Sequence, residues 1–375
     1  MMIDMSSAGE THFRAGLALQ VMEEAGRHLG TPVSELELTG LTGDASTRAY
    51  FRISPRGDAA AGVVVALYTE PFDEGESAAR HLARLESGDA SARMTYANDP
   101  RAHIEVTRLF LDAGLPVPRI VAALGEARAL IFEDVGDVRL QDWLKDHTPE
   151  QASTAYHAAV GLIVKIQEAA ELAVNSGSIC SRLAFDEAKL RWELSFFFVN
   201  YFNKHLGVRL DPATANAVQS DFKSLCAELA ARPRVLVHRD YHARNLMMRG
   251  HEMFIIDHQD ARMGPASYDI ASLVSDPYAA LDNDVAAGLA EYFIEVKADS
   301  SVPIDNVAEF RTELALTTVQ RMLKAVGTYA FQVAVKKNPV YVPYIEPAIL
   351  AALASMKRLE RFDATRALLE RSVGR

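Results

Sequence analysis

Cysteine is nearly absent: Cys180 and Cys226 are the only two among 375 residues. Neither has a second ligand group at metal-binding spacing, so both are read as reduced structural thiols of the kind a reducing cytosol keeps. Positive charge is also short. Lys and Arg total 39 against 50 Asp and Glu, a formal net charge of −11. Nucleic-acid binding is driven by cations that displace phosphate counterions, so no nucleic-acid partner is expected. Long apolar runs are missing as well. No stretch approaches the roughly 20 residues that span a bilayer, and residues 1–10 lack the basic-then-apolar layout of a secretion signal. No membrane partner is expected, and the location is read as cytoplasmic. There is no internal repeat and no low-complexity run. What is present, 49% hydrophobic and 24% charged residues, is enough for two lobes, each with its own core.

Residues 11–30 carry apolar positions Phe13, Leu17, Val21 and Leu29 at helical spacing, closed by Gly30-Thr31-Pro32. A Gly-containing loop, 39–47, precedes the alternating strand 49–53 and the β-branched strand 63–68. Helical patterns follow at 77–85 and 104–113, then strands at 120–123 and 129–133. Beyond Gln141 the pattern is helical: 149–173, 186–204, 212–232, 284–296, 307–335 and 347–371. A short β-rich stretch, 235–260, interrupts it. The expected fold class is α+β, with an antiparallel-sheet N-lobe over 1–135 and a larger, mainly helical C-lobe over 136–375.

The chemistry concentrates in that β-rich stretch. Val-Leu-Val-His238-Arg239-Asp240-Tyr-His-Ala-Arg244-Asn245-Leu-Met-Met is followed by Phe-Ile-Ile-Asp257-His258-Gln259-Asp260. One apolar strand delivers His238 and Asp240 to a loop, Asn245 lies on the same loop, and a hairpin returning at Gly250 delivers Asp257. Two carboxylates and an amide thereby meet at one hairpin mouth. Phosphoryl transfer from ATP needs such a set, because its metaphosphate-like transition state is stabilised by positioning and charge neutralisation. Asp240 can take or orient a hydroxyl proton, with His238 beside it. Asn245 and Asp257 offer the hard oxygens that Mg²⁺ prefers. The spacing H-R-D-x-x-x-x-N is that of the kinase catalytic loop. Arg244 and Asp260 are candidates for substrate contact, and Asp269 for a bond to the catalytic-loop backbone.

With these residues the chain resembles the aminoglycoside phosphotransferase/choline kinase superfamily, whose fold is protein-kinase-like. Four stretches are similar to one branch, the bacterial anomeric sugar kinases acting on N-acetylmuramate or N-acetylglucosamine. They are Gly43-Asp-Ala-Ser46-Thr-Arg48-Ala-Tyr50-Phe51-Arg52, Ile256-Asp257-His-Gln259-Asp260-Ala261, Gly264-Pro-Ala-Ser-Tyr268-Asp269 with Asp276-Pro-Tyr278, and Gln320-Arg321-Met-Leu-Lys324-Ala-Val-Gly327-Thr-Tyr329. The branch usually has Phe where His258 stands. The resemblance implies ATP and Mg²⁺ as cofactors, a small-molecule acceptor, and an adenine-binding hinge around Glu133 and Val135. The 39–47 loop can fold over phosphates with its backbone N–H groups, Gly43 and the Ser46 hydroxyl.

The strand 63–68 carries no Lys, whereas kinases place there a Lys that holds the nucleotide phosphates. Arg48 and Arg52 on the neighbouring strand are the candidates to replace it. Glu105 is read as a solvated helix residue, with orientation of such an Arg as the alternative. Trp192, Phe196, Phe197, Phe198, Tyr201 and Phe202 form an aromatic stripe read as core, with a substrate wall as the alternative. The competing functions are an aminoglycoside or choline kinase and, because of the missing Lys, an ATP-binding pseudokinase with a regulatory role.

Overall fold

The computed structural model describes residues 15–41, 48–58, 61–89 and 91–373. Helix α1 (Ala15–Leu29) turns at Gly30 into β1 (Leu36–Leu41). Then follow β2 (Ala49–Pro55), β3 (Val63–Leu67), α2 (Ala78–Glu86), α3 (Pro100–Asp112), β4 (Ile120–Leu124) and β5 (Ala129–Glu133). The five strands form one antiparallel sheet in the order β1-β2-β3-β5-β4. Val21, Ala25, Leu36, Ile53, Val63, Val65 and Ile131 are buried together, so α1 closes one face of the sheet with aliphatic side chains. β1 runs through Thr39 and Gly40, which the sequence places in a loop, because it pairs residue for residue with β2.

The helix α3 starts earlier than its periodicity indicates. Asp99 caps it, accepting from the Arg101 N–H, and Pro100 occupies its first turn. Glu105 on this helix is not solvated: its carboxylate accepts from the N–H of Ala78 at 2.7 Å and of Ile179 at 3.0 Å. It ties α2 and a C-terminal turn to α3. Val106, Leu109 and Phe110 accordingly pack in the same core as residues of the helical lobe.

That lobe comprises α4 (Leu140–Trp143), α5 (Pro149–Glu168), α6 (Ala170–Asn175), α7 (Glu187–Phe198), α8 (Pro212–Ala230), α9 (Tyr268–Val274), α10 (Asn283–Ala298), α11 (Val307–Ala334), α12 (Val342–Leu359) and α13 (Asp363–Glu370). A π-helical stretch, Val199–His205, continues α7. Two largely buried two-stranded ribbons belong to it: β6 (Arg234–Val237) with β9 (Arg262–Pro265), and β7 (Leu246–Arg249) with β8 (Glu252–Ile255). The single helix expected over 347–371 is two, separated at Glu360 and Phe362, both in left-handed conformation. The stretch Pro339–Leu359 is long and apolar enough to cross a membrane by length and composition, with a hydropathy of 1.2 over its apolar window. This corrects the expectation that no such segment exists. Its Ile345, Ala348, Ile349, Ala352 and Met356 are buried in the core shared with α11, the pattern of a packed helix. Both cysteines are free and buried.

Helix α11 is the spine of this lobe, and Gly327 lets it approach α7. A Cβ there would lie 2.6 Å from Phe197 Cα and 3.0 Å from its backbone N. Backbone cannot yield as a flexible side chain can. Gly327→Ala is therefore expected to destabilise the protein by about 1–3 kcal/mol despite the better helix propensity of Ala. A thermal melt as stable as wild type would show that the two helices are free to part.

Candidate active site

The loop between β6 and β7 is built on buried aspartates. Asp269, at the start of α9, accepts from the N–H of His238 at 2.7 Å and of Arg239 at 3.0 Å. Arg239 has φ +85°, an uncommon conformation for Arg, and the two Asp269 bonds hold it there. Asp276 does the same further along, accepting from Ala243 N and Tyr278 N, each at 2.8 Å. Burial lifts the two carboxyls to about 7 and about 6 respectively, against the backbone N–H bonds that favour their ionised forms. Asn245 donates its amide N–H to the carbonyl of Asp240 at 2.8 Å, which reserves its amide oxygen for another partner.

The second ribbon delivers Asp257, which sits in left-handed conformation (φ +59°, ψ +34°) just past β8. His238 is fully buried and its Nε2 donates to the Ile256 carbonyl at 3.0 Å. Burial holds its pKa below the ordinary histidine value. His238, placed beside Asp240 on sequence, ties the loop to the hairpin through its bond to the Ile256 carbonyl. Asp257 accepts from Gln259 Nε2 at 2.8 Å and lies 3.3 Å from Arg48 Nη2. His258 bonds Thr107 Oγ1 at 2.7 Å and stacks on Phe110. It couples α3 to the segment that carries Asp257.

Asp240, Asn245 and Asp257 open onto one cleft of about 820 Å³ between the sheet and the helical lobe. Val64, Phe132, Val135, Met247 and Ile256 supply an apolar section of its wall beside Glu133. Arg52, a candidate phosphate ligand on sequence, is bonded instead to the segment following β5. Its guanidinium makes bonds of 2.5–3.0 Å to Asp134 and Asp137. Arg48, directly before β2, is the arginine that faces Asp257. Gly43 and Ser46 lie outside the described residues.

The cationic side of the cleft comes from α11 and was not assigned on sequence. Lys324 Nζ lies 2.6 Å from Asp240 Oδ1, and Arg321 Nη1 lies 3.4 Å from the same oxygen. Arg239 approaches the other oxygen at 3.7 Å. Burial pushes the Asp240 carboxyl up, but Lys324, Arg239 and Arg321 together hold it well below the usual carboxylate range. Asp260 is clamped between Arg239 and Arg262. Arg244 donates to Gln141 Oε1 at 2.9 Å and to the Tyr344 hydroxyl at 3.1 Å, with its guanidinium 3.9 Å from the Tyr278 ring centre.

A family profile described as "Phosphotransferase enzyme family" matches residues 37–300, a span that contains the loop 238–245 and Asp257. The chain belongs to this phosphotransferase family. A relative named N-acetylmuramate/N-acetylglucosamine kinase, from Pseudomonas aeruginosa, is 32% identical over 257 residues, covering 67% of this chain and 73% of the relative. A choline kinase structure from Cryptosporidium parvum Iowa II superposes with a TM-score of 0.60 at 12% identity, over 94% of this chain and 98% of that one. The ADP-bound aminoglycoside phosphotransferase APH(2'')-Ib superposes with a TM-score of 0.51 at 14% identity, over 94% and 99%. At such identities the structural likeness concerns the fold: an antiparallel sheet followed by a mainly helical lobe. The phosphotransferase is an enzyme acting on a small molecule with a nucleotide.

In this phosphotransferase the helical lobe turns the rings of Tyr278, Tyr329 and Tyr341 to the cleft, joined edge-on or stacked at centre distances of 5.6 and 5.8 Å, and the sheet side adds Tyr50 and Phe132. The helical stripe that includes Phe197, Tyr201 and Phe202 is core. Trp192 is partly exposed and stacks on Phe196. Tyr278 and Tyr329 lie in stretches similar to the sugar-kinase branch, but nothing in their spacing marks them as wall residues.

Proposed function

We propose that this protein transfers the γ-phosphoryl group of Mg·ATP to the anomeric hydroxyl of an N-acetylated amino sugar, N-acetylmuramate or N-acetylglucosamine. The observation that carries the acceptor class is the charge around Asp240. Lys324, Arg321 and Arg239 all lie within 4 Å of its carboxylate. A choline-type or aminoglycoside acceptor would bring another cation against these three. An N-acetyl sugar is neutral at nitrogen, and the muramate form carries a carboxylate that suits a cationic floor. The name of the Pseudomonas relative supports the same choice.

Asp240 receives or orients the acceptor proton. Its depressed pKa makes it a weak base, and a hemiacetal hydroxyl gives up its proton more readily than an ordinary alcohol. The tyrosines of the cleft offer faces on which a sugar ring packs. Asn245 and Asp257 fit a magnesium ion as donors: one hard carboxylate, and one amide oxygen left available by its own N–H bond to Asp240. Among the described residues no group of three His, Cys, Asp or Glu forms a metal cage. Held by Asn245 and Asp257, Mg²⁺ would neutralise charge on the nucleotide phosphates. Arg48 lies where it can assist, with the hinge around Glu133 and Val135 as the adenine side. Residues 1–135 and 136–375 serve as the two lobes, in a cytoplasmic protein.

The deciding experiment is Mg·ATP consumption with N-acetylmuramate, N-acetylglucosamine, glucosamine, kanamycin and choline as acceptors. Turnover confined to the two N-acetyl sugars is expected, with an acid-labile glycosyl phosphate as product. Preference for kanamycin or choline would overturn the charge argument.

A further inference from the structure

We propose that Lys324 is a catalytic residue, whose ammonium contacts the acceptor oxygen and the transferring phosphoryl group. It supplies from helix α11 a charge that the strand β3 does not carry. The inference rests on Asp240 as the group that holds the acceptor hydroxyl, and not on which molecule bears that hydroxyl.

Three observations converge on it. The first is position. Lys324 Nζ is 2.6 Å from Asp240 Oδ1 and lines the cleft. A hydroxyl bonded to this carboxylate therefore lies within reach of the ammonium, and the phosphorus attacked by that hydroxyl lies one contact further on. Arg321, one turn earlier on the same face of α11, approaches the same oxygen and is itself bonded to Ser272 Oγ.

The second observation is what the sheet provides. β3 reads Val-Val-Val-Ala-Leu, and its Val64 faces the cleft. Arg52 is bonded to Asp134 and Asp137. Arg48 is directed at Asp257, on the metal side of the site. The acceptor side is met by α11.

The third is charge balance. The ion-paired cluster around Asp240 joins Lys189, Arg239, Arg262, Arg321 and Lys324 with Glu193, Asp240 and Asp260. Cations outnumber carboxylates in a largely buried setting, which is costly until an anion arrives. A phosphoryl group in flight, with negative charge spread over its equatorial oxygens, is such an anion. Burial, with Arg239 and Arg321 nearby, lowers the Lys324 pKa to about 8, while Asp240 and Glu193 raise it. Lys324 thus keeps most of its positive charge at neutral pH, at the wall of the cleft.

In the step itself, the acceptor O–H passes its proton to Asp240 and the oxygen forms the new O–P bond. The bond from Pγ to the bridging oxygen breaks, and ADP leaves with that electron pair. Lys324 keeps its proton throughout and offsets the charge on the oxygens in transit.

The binding arm of the test needs no acceptor, and the turnover arm uses the acceptor that the wild type phosphorylates. Affinity for Mg·ADP is measured by calorimetry with and without aluminium fluoride, which supplies a mimic of the phosphoryl group in transit. Wild type is expected to bind more tightly with the fluoride complex. Lys324→Met should leave Mg·ADP affinity within about threefold, which also reports a folded cleft, and should lose at least tenfold of the gain. Its kcat should fall about 10²–10³-fold at little changed KM for ATP. Lys324→Arg should restore part of both. Wild-type kcat/KM for ATP should fall as pH rises through about 8, and this limb should move upward in Lys324→Arg. A Lys324→Met variant that keeps the fluoride gain, or loses less than tenfold in kcat, would overturn the proposal. If wild type phosphorylates no N-acetyl sugar yet shows a gain that Lys324→Met abolishes, the acceptor reading fails and the role of Lys324 stands.

Discussion

Asp240→Asn is expected to lower kcat by about 10²–10⁴-fold, the range that a positioned general base contributes. Nucleotide affinity should stay within a few-fold of wild type, because the apolar wall at Val64, Phe132 and Met247 and the donors Asn245 and Asp257 are untouched. Asn keeps the shape of the side chain but cannot take a proton from the acceptor. It also removes a carboxylate from among Lys324, Arg321 and Arg239, which adds a stability effect with a definite sign. The Asp240 carboxyl is held well below its unfolded value, so its ionised form contributes stability above about pH 4, and that contribution is lost as pH falls through the folded-state pKa. The melting temperature of Asp240→Asn should therefore lie below wild type at pH 7, and the gap should narrow in acid. Retention of a tenth or more of wild-type kcat would remove Asp240 from the proton-transfer step.

The catalytic loop was legible because its chemistry is contiguous. His238, Asp240 and Asn245 lie on one turn, and Asp257 follows a single hairpin, so local strand and turn propensities already bring them together. Asp269 was legible as a loop anchor for the same reason: a carboxylate at a helix start, close in sequence to the ribbon it serves. Lys324 and Arg321 were not legible as site residues. Gln320, Arg321 and Lys324 stood out only as part of a stretch similar to one branch, and it is the packing of α11 against α7 and α9 that turns them inward. Gln320 is fully buried and bonded to Glu193. Glu105 misled, since its buried partners are backbone N–H groups of Ala78 and Ile179 that no pattern reveals. The break at Glu360–Phe362 had no Gly or Pro to mark it. The strand β9 was missed because Arg262-Met-Gly-Pro265 lacks β-branched residues and owes its conformation to pairing with β6.

Glu193→Gln should produce the largest loss of stability, about 3–5 kcal/mol by urea denaturation at pH 7, the usual cost of breaking a buried ion pair from one side. Its side chain is 1% exposed, on α7 beneath the catalytic loop. The carboxylate lies 3.3 Å from Arg239 Nη2 and 3.7 Å from Lys189 Nζ, and accepts from Gln320 Nε2 at 3.0 Å. Burial raises its pKa, but Lys189, Arg239 and Lys324 bring it below the ordinary glutamate value. It is therefore ionised at neutral pH and contributes its full stability above about pH 4.5. Gln keeps the volume and loses the charge, leaving Lys189 and Arg239 facing each other. Lys189 is the more dispensable of the two, since its ammonium otherwise bonds the Met94 carbonyl and lies over the Trp192 ring. Adding Lys189→Met to Glu193→Gln should recover part of the loss, so that the two changes couple rather than add. Arg239 cannot be relieved in this way, because it also holds Asp240 and Asp260. Turnover of the double variant should accordingly stay below wild type even where its stability recovers. Stability and turnover that return together would mean that Glu193 serves only the helix packing, and a Glu193→Gln variant as stable as wild type would mean that the cluster is reached by water.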